Sequence, residues 1–421
     1  MLFRFGLYGF LKNQRYFDPF LILILREKGL SFTLIGLLIA FREICINLTE
    51  IPTGAIADVV GRRRSMIFSH LAYIAAFMIF GASSEVWMLF AAMFFFSIGE
   101  AFRTGTHKAI IFNWLSLEGR DDEKTKVYGF TRSWSKLGSA LSVVIAAALI
   151  FTLHKYSYVF YFCVIPYLGN IINFLGYPAK LDGPRKDHIS IREVLRVLLS
   201  AMRNSVRSGP LRRLFIESMG FGGCFTICKD YLQPVLKSAA VSLPMLLYLA
   251  DRQRTALLIG AVYLIQYLLD SYASRHAHVL ADRAGSEQRG ARWVWWMYGG
   301  GFAIVGAGVG MSFLGGSVMV SCALGVAAGG FVAISVIQNF WRPILISRFA
   351  AHANWDEMAT VLSIESQGKS LFAAGIAPVL GLAVDLMGKQ TETAKFIPVA
   401  VVGLIVTAVM LVTSRRTVQT A

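Results

Sequence analysis

Twelve apolar runs, each long enough to cross a bilayer as a helix, constrain this chain more than any other feature. They fall roughly at 5–26, 32–56, 65–83, 86–115, 126–152, 157–177, 211–236, 255–276, 292–313, 316–347, 358–386 and 395–413. A spanning helix needs about 20 apolar residues. In lipid the backbone must pair with itself, which leaves helices and closed barrels as the only spanning structures. Barrel strands alternate over about ten residues, whereas these runs are continuous. The expected fold is therefore an all-α polytopic membrane protein. Composition agrees, since only 16% of the residues are charged, against about a quarter in soluble domains. The first run is unusual in holding Lys12, Arg15 and Asp18. Asp18 beside Pro19 is expected to break that helix and bare backbone to a cavity. The stretch 237–254 is read as an extension of the eighth run.

The net charge is +16. Lys and Arg gather in 57–64, 116–125, 178–210, 277–291 and 348–357 and in the tail at Arg415 and Arg416, while the intervening loops are short and nearly uncharged. Positive loops stay on the cytoplasmic side. This places both termini in the cytoplasm, with a bacterial inner membrane as the expected location. Within 178–210, Ile191, Leu195, Leu198 and Met202 recur at helical spacing among arginines, the pattern of an amphipathic interfacial helix. The chain thus divides into a six-helix lobe over 1–177, a basic linker over 178–210 and a second six-helix lobe over 211–421.

The five cysteines give no disulfide framework, and Cys224 and Cys228, one turn apart, have no nearby His or third Cys to complete a metal site. The N-terminal segment lacks the small-residue cleavage site of a signal peptide. No nucleophile triad, Walker loop or metal-ligand cluster is present. An enzyme, an ATP-driven pump, a bound cofactor and a nucleic-acid partner are all unexpected.

The chain repeats itself. "IADVVGRRR" at 56–64 aligns with "LADRAGSEQ" at 280–288, matching Asp58 with Asp282 and Gly61 with Gly285. "HKAIIFNWL" at 107–115 echoes "WRPILISRF" at 341–349 and sets Lys108 against Arg342. Each echo follows the equivalent span of its half. The segment "GAIADVVGRRR" resembles the loop signature of the major facilitator superfamily, Gly-x-x-x-Asp-x-x-Gly-Arg-Arg/Lys-x-Arg/Lys. The resemblance covers the whole chain, since the span count, the basic linker and the weaker second copy also fit. It implies two pseudo-symmetric six-helix bundles and secondary active transport by rocker-switch alternating access. It also implies a conformational latch made by Gly54, Asp58, Gly61, Arg62, Arg64, Asp282 and Gly285. One feature departs from the drug–proton antiporter branch. Span five, "RSWSKLGSALSVVIAAAL", has no proline, and a similar stretch, "GIAPVLG" (375–381), sits in span eleven instead.

Ionisable residues within spans are costly and mark pathways or sites. Here they form stripes. Lys12 and Arg15 lie on span one; Glu43, Asn47 and Glu50 follow i, i+4, i+7 on span two beside Arg42; Glu100, Arg103 and His107 form a like one-face stripe at i, i+3, i+7 on span four; Arg132 and Lys136 are one turn apart on span five. Glu43 and Glu50 are the expected partners of the bases on spans one, four and five. The second half is sparser, with Glu217 and Lys229, Gln338 and Trp341, and Glu365 with Lys369. The balance within the membrane is basic, which suits a small organic anion or zwitterion. The candidate substrate ligands are Arg15, Arg42, Arg103, Arg132, Lys136, Gln338 and Trp341. The candidate proton carriers are Asp18, Glu43, Glu50, Glu100, His107 and Glu365, because protons are the expected coupling ion. A monomer is expected. Two other readings are a multidrug efflux antiporter and a non-transporting sensor or scaffold on the same fold.

Overall fold

The computed structural model describes residues 1–120, 123–182, 209–243, 247–314, 316–351, 358–389 and 393–415. The interfacial helix expected between Ile191 and Met202 lies outside them. Among the described residues the chain is helical, with ten helices long and apolar enough to cross a membrane. They include Phe32–Val60, Arg62–Ala82, Asp251–Arg275 and Ser317–Ala350. Large apolar side chains such as Leu48, Ile172, Leu268 and Val379 stand exposed on the helices, where a lipid solvent would cover them.

The other two expected spans, the first and the seventh, are interrupted. Span one is a helix over Leu2–Lys12, a break, a 3-10 turn over Asp18–Phe20 and a short helix over Leu21–Glu27. Side chains take up two of the freed backbone groups. The Tyr167 hydroxyl donates to the Lys12 carbonyl at 3.1 Å, and the Ile22 N–H donates to Gln233 Oε1 at 2.8 Å. Span seven is a succession of short segments, Gly209–Ser218, a π-turn over Met219–Gly223, Cys224–Cys228 and Leu232–Ser242. The π-turn falls on "MGFGG", whose glycines offer little resistance to a widened turn. Span four also breaks, at Gly105 with φ of +79°, dividing Val86–Arg103 from Thr106–Leu117.

The helices form two compact units. One contains Met1–Phe20, Glu27–Gly29 and Phe41–Leu198; the other contains Leu21–Arg26, Leu30–Ala40 and Leu199–Ala421. Glycines bring helices together in each. In the first unit, a Cβ at Gly9 would lie 2.8 Å from the Thr131 carbonyl oxygen, and one at Gly138 would lie 2.5 Å from that of Phe10. Spans one and five are thereby held in backbone contact. In the second unit, a Cβ at Gly36 would meet the Ala377 oxygen at 2.3 Å, and one at Gly381 would meet the Phe32 oxygen at 2.2 Å. The "GIAPVLG" stretch of span eleven thus lies against the start of span two. Asp385, one turn further on, caps that start. Its carboxylate accepts from the N–H groups of Phe32 and Thr33 at 3.0 and 2.7 Å and from the Thr33 hydroxyl at 2.7 Å, satisfying donors that a helix N-terminus leaves free.

Candidate functional site

Span five carries one polar face. Tyr128, Thr131, Arg132, Ser135, Lys136 and Ser139 follow i, i+3, i+4, i+7, i+8, i+11, the stripe of a single helix side. Because spans one and five touch, this stripe faces Tyr8, Lys12 and Asn13. Together with Phe5, Gly9, His107 and Ile111 these residues enclose a cavity of about 310 Å³ within the first unit. Its lining has three cations, Lys12, Arg132 and Lys136, and no carboxylate. Asn13 donates to the Ser135 carbonyl at 2.7 Å and Gln14 to that of Gly138 at 3.0 Å, so the broken part of span one is tied to span five beside the cavity. His107 lies against Tyr8 with ring centroids 3.8 Å apart, and the Lys12 ammonium is 5.8 Å from the same Tyr8 ring.

A second cluster lies in the same unit. Arg15 pairs with Glu100 at 2.6 Å, and Arg103 holds the other oxygen of the same carboxylate. Two tyrosines complete it. Arg15 Nε donates to the Tyr167 hydroxyl at 3.0 Å and Arg103 Nε to the Tyr73 hydroxyl at 3.2 Å. Two guanidiniums over one carboxylate leave a net positive charge. Arg15, Glu100 and Arg103 are therefore brought together, and His107 and Lys12 sit on the neighbouring cavity wall.

The span-two charges are arranged otherwise than their spacing suggested. Glu43 pairs at 2.7 Å with Arg42, its own neighbour in sequence, and not with a base on another span. Among the described residues no hydrogen bond or ion pair reaches the Glu50 carboxylate. Asp18 is exposed at the 3-10 turn of span one. In the second unit the wholly buried Glu365 pairs with Arg342 at 2.8 Å and Lys369 at 3.1 Å and accepts from the Ser218 hydroxyl. Gln338 stands one turn before Arg342, and among the described residues its buried Oε1 has no hydrogen-bond partner. Trp341 is buried, stacked on Phe221 with centroids 4.8 Å apart and edge-on to Trp295 at 5.8 Å. Neither Gln338 nor Trp341 lines the cavity of the first unit.

The loop expected to act as a latch is built on Gly61, which separates spans two and three with φ of +108°. Asp182, in the 3-10 turn Ala179–Asp182 that follows span six, reaches it. Its carboxylate accepts from the Arg63 N–H at 2.7 Å and lies where a Gly61 Cβ would fall, at 2.9 Å. Arg62 pairs with Asp58 at 3.3 Å. Arg64 is exposed, and Gly54 has open space around it. The second copy behaves alike at its glycine. Gly285 has φ of +72° and ends the short helix Ala277–Ala284, with Asp282 exposed.

Sequence reasoning did not single out Tyr73, Tyr167 or Asp182 as partners, nor the hydroxyls of span five. The tyrosines sit in apolar runs, where they read equally as interface anchors. The span-five hydroxyls were open to discovery, since they repeat at helical spacing between Arg132 and Lys136.

A family model described as Major Facilitator Superfamily matches residues 13–364. Among solved structures, a mutant of the nucleoside transporter NupG is similar over 99% of both chains, with 14% identity and a TM-score of 0.78. A mutant of the peptide transporter POT in complex with alafosfalin is similar over 99% of this chain and 94% of its own, with 14% identity and a TM-score of 0.71. A POT family transporter in complex with 5-aminolevulinic acid is similar over 99% and 96%, with 17% identity and a TM-score of 0.68. At these identities the likeness is one of fold. No curated protein matches the sequence.

Proposed function

The chain belongs to the Major Facilitator Superfamily and is a membrane-embedded secondary transporter of that type; from this premise we propose that its cargo is a small organic anion, moved with protons by alternating access. The observation that carries the reading is the cavity of spans one, four and five, with three cations and no carboxylate in its lining. Among the described residues Lys12 and Arg132 have no ion pair, and a cation within the membrane is costly without a counter-charge. A bound anion supplies one, so charge on the cargo contributes to binding directly. Arg15 and Arg103, sharing Glu100, extend the positive field beyond the cavity wall. Glu100 serves there as their fixed counter-ion.

Glu43 and Glu365 are occupied by neighbouring cations in the same way. Glu50, whose carboxylate no hydrogen bond or ion pair reaches among the described residues, is the carboxylate we assign to gain and lose a proton, with His107 on the cavity wall. The glycine-hinged loops at Asp58 to Arg64 and at Asp282 to Gly285 hold one of the two access states, and the basic loops face the cytoplasm. A 1–177 lobe working against a 211–421 lobe is the division that this cycle uses.

Purified protein in proteoliposomes tests the coupling. An imposed proton gradient drives accumulation of the anion in the wild type. Glu50→Gln retains exchange of anion across the membrane and loses accumulation. Gradient-driven accumulation by Glu50→Gln at the wild-type level contradicts the assignment of Glu50. Accumulation that ignores the gradient in the wild type contradicts proton coupling altogether.

A further inference from the structure

The hydroxyls of the span-five stripe have already committed their protons. Thr131 Oγ1 donates to the Tyr128 carbonyl at 2.9 Å, Ser135 Oγ to that of Thr131 at 3.2 Å and Ser139 Oγ to that of Ser135 at 3.1 Å. A carbonyl oxygen only accepts, so each hydroxyl is the donor in its bond. What each then offers the cavity is an oxygen lone pair. The Asn13 amide directs one of its two N–H donors to the Ser135 carbonyl at 2.7 Å, and its oxygen is a further acceptor beside the row. The cavity therefore combines three cationic donors with a row of neutral acceptors. From Thr131 to Ser139 the row is about 12 Å long at a helical rise of 1.5 Å per residue.

A bare carboxylate satisfies the cations and leaves the acceptors facing a ligand with nothing to donate. An ammonium group would satisfy the acceptors and be repelled by Lys12, Arg132 and Lys136. Neutral hydroxyl groups attached to an anion meet both demands. We propose that the cavity of spans one, four and five takes a polyhydroxylated organic anion, a sugar acid or a sugar phosphate in chemical class. The anionic head lies among Lys12, Arg132 and Lys136, and the hydroxyls donate to Thr131, Ser135 and Ser139. This rests on the reading of the cavity as an anion site and adds the neutral half of the ligand. A site built to bond a ligand hydroxyl discriminates strongly against the analogue without it, because its own polar groups are left unpaired.

The test measures equilibrium binding to the full-length protein in lipid nanodiscs, using two matched pairs, gluconate with hexanoate and glucose 6-phosphate with hexyl phosphate. In at least one pair the hydroxylated member binds tighter by about tenfold or more. Ser135→Ala/Ser139→Ala reduces that preference to about twofold and leaves the affinity for the unhydroxylated member in place. Ser139→Ala alone gives an intermediate loss if the double variant does not fold. Equal binding within both pairs, or a preference that the serine variants do not change, overturns this inference and leaves the anion site standing. Failure of all four anions to bind, with sorbitol bound instead, overturns the anion site itself. A carboxylate pair and a phosphate pair that differ in strength identify the head group.

Discussion

At the scale of single residues, the conflict between Gly61 and any side chain is direct. Its φ is +108°, and a Cβ there would press on the Asp182 carboxyl. Gly61→Ala is expected to cost about 1–3 kcal/mol, read as a lower melting temperature of the purified protein. Gly54→Ala meets open space inside a helix, and its stability is unchanged or raised by about 0.5–1 kcal/mol. If Gly54 belongs to a latch, transport in that variant falls without any loss of fold. The carboxylates separate just as clearly. Glu100→Gln removes the carboxylate that Arg15 and Arg103 share and is expected to destabilise the protein by about 3–5 kcal/mol. Glu50→Gln removes no ion pair among the described residues and leaves the melting temperature near that of the wild type. The pairing of Glu100 with Arg103 was legible, being three residues along one helix. The pairing with Arg15 and the hydrogen bonds to Tyr73 and Tyr167 were not, because they join different spans and depend on how these helices turn toward each other.

At the scale of elements, hydropathy located the spans well because it averages over some 20 residues. It missed the interruptions, which depend on a few backbone groups. Span one breaks as Asp18 and Pro19 suggested, but the π-turn at "MGFGG" in span seven and the hinge at Gly105 carry no hydropathic signal. "GIAPVLG" was legible as a motif and not as a contact surface. Its meaning lies in the approach of Gly381 to the Phe32 carbonyl and in the cap that Asp385 provides nearby. Asp385→Ala removes three hydrogen bonds from the start of span two and is expected to cost about 1 kcal/mol, as lost helix caps do. A thermal melt of the variant beside Asp385→Asn, which retains an acceptor oxygen, measures it.

At the scale of the whole molecule, family and fold were readable because repeat, span count and loop signature coincide. The cargo was not, since one fold serves many substrates and specificity lives in a few side chains. The sign of the intramembrane charge is what suggests an anion or zwitterion, and the carboxylate-free cavity lining is the ground for proposing the anion. The orientation is open to a labelling test. A cysteine in place of Ser84 is expected to react with an impermeant reagent from outside the cell, and one in place of Glu118 only after the membrane is opened.

The central claim is that an organic anion passes through the cationic cavity of spans one, four and five. Initial uptake rates in proteoliposomes, for a panel of small anions, zwitterions and cations, test it most directly when wild type is measured beside Arg132→Gln/Lys136→Gln. The account predicts uptake of an anion by the wild type and a fall of roughly tenfold or more in the folded double variant. Uptake of a cation, or undiminished anion flux through the double variant, would contradict it.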